Sequence, residues 1–187
     1  MEIIPAIDIL DGKCVRLFQG DFDKETVFAD DPVDMALRWE SEGASYLHIV
    51  DLDGAKGGKI ANSQAIERIR NSTNARIQVG GGIRSVESAK RYADIGVDRL
   101  IIGTAAVEFP GIVSSIINVY GSSSVIISVD ARDGIVELDG WTRRSEVSAK
   151  SLVQEMMGHG VIRCMYTDII RDGTLTEPNY NAIEDLV

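Results

Sequence analysis

Residues 3–12 read IIPAIDILDG, and residues 126–134 read IISVDARDG. Each is a run of branched apolar residues that ends in an aspartate (Asp8, Asp130) and continues shortly into Asp-Gly. The two aspartates stand 130 − 8 = 122 positions apart. A second pair, LHIVDLDG at 47–54 and MYTDIIRDG at 165–173, repeats the pattern at 168 − 51 = 117 positions. Strand–loop segments that recur in order at a near-constant offset indicate a duplicated architecture. The expected chain is four βα units followed by the first two units of a second copy.

The rest of the chain fits this frame. Apolar runs at EIIPAI (2–7), YLHIV (46–50), RIQV (76–79), RLII (99–102), VIISV (125–129) and RCMYT (163–167) barely alternate with polar residues. Strands buried on both faces have this composition, which predicts a parallel sheet. Amphipathic segments lie between them. Asp31-Pro32 opens one with Val33, Ala36 and Leu37 on its apolar face. Asn62 opens another with Ala65, Ile66 and Ile69, and Ser85 a third with Ala89, Tyr92 and Ala93, closed by Gly96. Gly43, Gly121 and Gly160 close further helices. The result is an α/β chain of six βα units without linkers.

A doubly wound sheet and a (β/α)8 barrel both fit that order. The residues that follow the runs favour the barrel: Asp8, Asp51, Gly80-Gly81-Gly82, Gly103-Thr104, Asp130 and Asp168. Polar or glycine residues at every strand end place chemistry on one rim, as a barrel does. The reading is a TIM (β/α)8 barrel with a half-barrel repeat, of which six units are present. One domain covers 1–187, with a first half-barrel over about 1–122 and part of a second over 123–187.

Composition narrows the function. The 187 residues are 44% hydrophobic and 26% charged, with a net charge of −10. That acidity argues against nucleic acid as a partner. No run of about 18 apolar residues suggests a membrane span, and MEIIPAID lacks the basic start of a signal peptide. Cys14 and Cys164 read as free thiols of a cytoplasmic protein. With only His48 and His159, a histidine metal site is not expected, and His48 reads as a partnered core residue.

Two constellations carry chemistry. In a closed barrel Asp8 and Asp130 occupy equivalent positions across the mouth, where one carboxyl donates a proton and the other accepts one. Gly80-Gly81-Gly82, leading through Ile83-Arg84-Ser85 into a helix, can aim backbone N–H groups at an anion, and Gly103-Thr104 adds donors. Trp141, in the loop after the fifth run, can stack on a planar ligand. Thr167 and Asp168 offer a hydroxyl and a carboxylate to the same rim.

PAIDILDGKCVRLFQGD (5–21), LHIVDLDGA (47–55), GGGIRS (80–85), IIGTAA (101–106), VDARDG (129–134) and TDIIRDGTL (167–175) together resemble the phosphoribosylformimino-5-aminoimidazole carboxamide ribotide isomerase family. The related imidazole glycerol phosphate synthase shares the half-barrel repeat, but RLFQGD looks like the isomerase. The resemblance implies an Amadori rearrangement of an aminoaldose to its aminoketose in histidine biosynthesis, without metal or redox cofactor. It implies Asp8 as the general base at C2, Asp130 as the general acid that opens the ribose ring, and Thr167 as a supporting hydroxyl. Gly81, Gly82, Arg84, Gly103 and Thr104 would hold phosphate, Asp168 would bind substrate, and Trp141 would cover it. The substrate would be a bis-phosphorylated ribotide and the complete enzyme a monomer.

One departure sets expectations of its own. The chain ends at Ala182-Ile183-Glu184-Asp185-Leu186-Val187, inside the sixth helix, so seventh and eighth strands with a second phosphate site are expected to be missing. Loss of activity in such a fragment is one alternative. A dual-substrate isomerase that also acts on phosphoribosyl anthranilate is another.

Overall fold

The computed structural model describes residues 2–186, so Met1 and Val187 quoted above lie outside the described residues. The chain forms two compact units. One comprises the segment ending at Arg16 together with Thr26–Leu100, the other Leu17–Glu25 together with the segment from Ile101 onward.

The first unit begins with β1 (Ala6–Leu10), which turns into β2 (Lys13–Phe18). β3 (Asp21–Ala29), whose first half belongs with the end of β2 to the second unit, is mostly exposed and leads into α1 (Pro32–Ser41). β4 (Tyr46–Asp51), α2 (Leu52–Gly57), α3 (Ser63–Ser72), β5 (Arg76–Gly80) and α4 (Val86–Ile95) follow. β6 (Arg99–Ile102) falls at the boundary between the units. β1 runs parallel to β4 with Asp8 opposite Val50, and β4 runs parallel to β5 with His48 opposite Gln78. Ile7, Ile9, Leu47, Ile49, Ile77 and Val79 from these strands are fully buried, as are Ile66 and Ile69 of α3 and Tyr92 of α4. One face of β1 and β4 is fully buried, while the alternate positions Asp8, Leu10, His48 and Val50 are only partly buried.

The second unit contains α5 (Thr104–Glu108), α6 (Gly111–Tyr120), a 3-10 turn at Ser122–Ser124, β7 (Val125–Arg132), β8 (Ile135–Leu138) and β9 (Arg143–Ser148). It ends with α7 (Ala149–Gly158), β10 (Cys164–Asp168) and α8 (Tyr180–Glu184). β10 is parallel to β7 with Thr167 opposite Asp130, whereas β8 is antiparallel to both β7 and β9. Val113, Ile116, Ile127, Val129, Leu152 and Met156 form its fully buried centre. The fold is α/β with a mixed sheet of parallel and antiparallel pairs.

The six expected parallel strands are present, with three differences. The first lies at 6–10 rather than 2–7. Proline has no N–H to give a ladder, and Pro5 contributes only its carbonyl, accepting from His48 N at 2.9 Å. Asp8 and Asp130 therefore stand within their strands, not after them. Second, β2 and β3 occupy what reads as a loop after the first run. Third, the segment after β7 contains the β8–β9 hairpin, and the loop that holds Trp141 is its turn. Asp11-Gly12 and Asp133-Gly134 have φ of 48° and 74° and of 52° and 75°, the left-handed pair a tight antiparallel turn requires. The Asp-Gly pairs after Asp8 and Asp130 are thus hairpin turns, whereas Asp53-Gly54 lies in α2.

Candidate active site

Asp130 belongs to the second unit, on β7. Ser128 lies two residues earlier on the same strand face, and its hydroxyl donates to Asp130 Oδ1 at 2.9 Å. Thr167, opposite Asp130 on β10, and Trp141 also hydrogen-bond the carboxyl. Withdrawal from water pushes the Asp130 pKa up, while the Thr167, Trp141 and Ser128 hydrogen bonds act in the opposite direction. The indole N–H can only donate, whereas a hydroxyl can also accept. A proton on Asp130 can therefore be shared with Thr167 or passed to a bound oxygen.

The turn that presents Trp141 is left-handed at Asp139, Gly140 and Trp141, with Trp141 at φ 68°. A tryptophan with positive φ is uncommon and needs support from its surroundings. Thr104 Oγ1 accepts from Asp139 N at 2.9 Å, and Arg143 pairs with Asp139 at 2.7 Å and with Glu108. The Trp141 ring lies flush on Gly20, where a Cβ would fall 2.2 Å from it. Thr104 is the first residue of α5 after Gly103, and its hydroxyl is committed to this turn. A Cβ at Gly103 would meet Ser128 at 3.8 Å, so the Gly103-Thr104 loop adjoins the strand carrying Asp130.

Asp8 belongs to the first unit, partly buried on β1 opposite Val15 of β2. Burial, reinforced by the charge of Asp8, pushes the nearby Cys14 thiol up to about 11. That keeps Cys14 protonated and unreactive. His48 is paired with Gln78, whose Nε2 lies 3.2 Å from its Nδ1, and burial pushes its pKa down to about 4.

In the same unit, Gly81 and Gly82 take φ of 106° and 74°. A Cβ at Gly81 would stand 2.1 Å from the Asp51 carbonyl, and one at Gly82 2.6 Å from Ile60 N. Only glycine fits at either position. Ser85 and Ser88 form a capping box at the start of α4, and Ser88 Oγ also accepts from Arg84 N at 3.0 Å. The Arg84 guanidinium lies against Gly58, where a Cβ would fall 2.7 Å from its Cζ.

Asp168 closes β10 in the second unit. Its carboxylate accepts from Ile170 N at 3.1 Å and from Asn179 Nδ2 at 2.8 Å, with Arg171 Nε at 3.7 Å. A cavity of about 310 Å3 beside it is lined by Asp133, Tyr166, Asp168, Asn179 and Asp185. This acidic lining suits hydroxyl groups better than phosphate.

The structure thus gathers Asp130, Thr167 and Trp141 in the second unit, with Thr104 attached through the Asp139 turn. It places Gly81, Gly82 and Arg84 on one loop of the first unit. The sequence reading gives no site role to Ser128, to Asn62, which it reads as a helix start, or to Tyr92, which it reads as part of an apolar helix face. Ser128 was readable from its i−2 position on a strand. Asn62 was readable from a recurring Asp-to-Asn spacing, 62 − 51 = 11 and 179 − 168 = 11. Nothing local singles out Tyr92.

The profile of a family described as histidine biosynthesis protein matches residues 2–187. Relatives named 1-(5-phosphoribosyl)-5-((5-phosphoribosylamino)methylideneamino) imidazole-4-carboxamide isomerase include one from Dehalococcoides mccartyi (strain CBDB1). It is 54% identical over 187 residues, covering 100% of this chain and 76% of the relative. Those of Roseiflexus castenholzii (strain DSM 13941 / HLO8) and Thermodesulfovibrio yellowstonii (strain ATCC 51303 / DSM 11347 / YP87) are each 48% identical over the whole chain, which spans 78% and 76% of their lengths. A match over residues 2–187, with relatives about half identical along the whole chain, means that the chain belongs to the histidine biosynthesis protein family.

Proposed function

We propose that the chain is a phosphoribosyl aldose–ketose isomerase that carries out the Amadori rearrangement of the imidazole carboxamide aminoaldose in histidine biosynthesis. The observation that carries this reading is the environment of Asp130. A carboxyl withdrawn from water and pushed above its ordinary pKa is suited to remain protonated and act as a general acid.

Asp130 gives its proton to the ribose ring oxygen, the C1–O bond breaks, and the nitrogen lone pair forms a C1=N iminium. Asp8 removes the C2 proton, and the electron pair moves through C1 to nitrogen to give an enolamine. Protonation at C1 and loss of the O2 proton yield the ketone. Every step is a proton transfer that two positioned carboxyl groups can carry out. Thr167 supports Asp130, and Trp141 covers the substrate. Gly81, Gly82, Gly103 and Thr104 hold a phosphate with help from Arg84, and Asp168 shapes the acidic rim around the sugar hydroxyls. The ligand is a bis-phosphorylated ribotide and the enzyme works as a monomer in the cytoplasm. The matching Asp51–Asn62 and Asp168–Asn179 pairs support one barrel-type domain over 1–187 built on a half-barrel repeat.

The test is turnover of the aminoaldose by the parent chain and by Asp8→Asn and Asp130→Asn. Each substitution is expected to lower kcat by about 100-fold or more while substrate binding changes by less than roughly ten-fold. Near-parental rates in either variant would remove that residue from its role.

A further inference from the structure

Asp51 ends β4 and is fully buried, yet the chemistry above gives it no part. Its carboxylate accepts five hydrogen bonds: Gly54 N at 2.9 Å, Ala61 N at 2.7 Å, Asn62 N at 3.0 Å, Asn62 Nδ2 at 2.7 Å and Tyr92 Oη at 3.2 Å. Burying a charge is tolerated when its oxygens are satisfied in this way.

Two connections lead outward from this anchor. Asn62 spends both amide hydrogens on carboxylates, Asp51 at 2.7 Å and Asp53 at 2.8 Å. Its Oδ1 accepts from Gly12 N at 3.1 Å, while Asp53 Oδ2 accepts from Asp11 N at 2.8 Å. Only one orientation of the amide satisfies these contacts. Asp11-Gly12 is the turn of the β1–β2 hairpin, three residues beyond Asp8. The second connection is Tyr92, whose single hydroxyl proton is shared between Asp51 at 3.2 Å and the Gly81 carbonyl oxygen at 3.4 Å. Through these contacts a single carboxylate fixes both the hairpin that carries Asp8 and the loop that carries Gly81 and Gly82. The Asn179–Asp168 bond at 2.8 Å repeats the same device.

We propose that Asn62 and Tyr92, anchored on Asp51, are positioning residues: Asn62 sets the Asp8 hairpin for proton abstraction, and Tyr92 sets the Gly81–Gly82 loop for phosphate. The proposal rests on the isomerase reading for its kinetic form. It also makes a separate claim about phosphate at the glycine loop. Misplacement of a reacting group by a fraction of an ångström lowers turnover, whereas loosening a loop that binds the substrate uniformly weakens binding.

The experiment compares the parent chain with Asn62→Ala and Tyr92→Phe. Rates are normalised to folded protein by circular dichroism, and the Gly81 and Gly82 amide resonances are titrated with inorganic phosphate. Asn62→Ala should lower kcat by about ten- to a hundred-fold with KM within roughly two-fold. Tyr92→Phe, which deletes only a hydroxyl and keeps the packing, should raise KM and the phosphate Kd by about five-fold or more with kcat nearly unchanged. Loss of thermal stability with unaltered kcat, KM and phosphate affinity per folded molecule would reduce the network to a structural role and overturn the proposal. A parent chain without turnover would favour the inactive-fragment alternative over isomerase activity of this chain. Phosphate affinity then decides: weakening in Tyr92→Phe supports the positioning of the loop, and an unchanged Kd overturns it.

Discussion

His48 sits on β4 with its ring enclosed and its Nδ1 turned to the Gln78 amide, and its pKa falls from 6.5 to about 4. The unfolded chain therefore binds a proton there at a pH where the folded chain does not. Stability from this residue is present above the unfolded value and is lost as pH falls toward the folded one. Between about pH 7 and about pH 5.5 the loss should be about 1 kcal/mol. Urea unfolding of the parent and of His48→Gln at these two pH values measures it, since the variant should lack this part of the dependence. Equal pH dependence in both would show that His48 does not titrate as described. Gly20 supplies a second prediction at this scale. A methyl group there would collide with the Trp141 ring at 2.2 Å and force a side chain onto a residue at φ 74°. Gly20→Ala should destabilise by about 1–3 kcal/mol and, by displacing a donor from Asp130, lower turnover as well. Urea unfolding and steady-state kinetics check both parts.

At the scale of elements, α4 begins with a reciprocal pair in which Ser85 Oγ accepts from Ser88 N and Ser88 Oγ accepts from Ser85 N, each at 3.0 Å. Ser85→Ala removes one arm and should cost about 1 kcal/mol, seen as a lower urea midpoint with an unchanged slope. This start was legible, because serine before an amphipathic run is a capping signal. So were the starts at Asp31, whose Oδ1 accepts from Val33 N at 3.0 Å, and at Asn62. The Asn62 side chain, however, makes no capping bond and serves the Asp51 network instead. The two hairpins were missed for a different reason. KCVRLF and RRSEVS carry charges that read as loop, and Asp-Gly was taken as a mark of the repeat. A left-handed Asp-Gly between two short runs is nevertheless a hairpin signal.

At the scale of the molecule, 29 acidic residues against 19 basic ones leave a pI near 4.7. Solubility should pass through a minimum near that pH, where repulsion between molecules vanishes. Turbidity measured across pH at fixed salt checks this, and a minimum displaced toward neutrality would contradict it. Each unit also holds its own fully buried aliphatic centre, with Ile66 in the first and Leu152 in the second. Ile66→Ala and Leu152→Ala should each cost about 2–5 kcal/mol, read from urea unfolding.

The sequence by itself determined the alternation of strands and helices, the recurring aspartate segments and the glycine loop. All of these follow from periodicity, steric demand and local hydrogen bonding, which act over a few residues. Tertiary structure alone decided which groups surround them. The Asp130 pKa rises because packing withdraws the carboxyl from water, a shift that the hydrogen bonds from Thr167 on β10 and Trp141 in the hairpin only partly oppose. Asp51 becomes an anchor because residues 10, 11 and 41 positions away converge on its two oxygens. Desolvation and long-range hydrogen bonding depend on what packs against a residue, and that information is distributed over the whole chain.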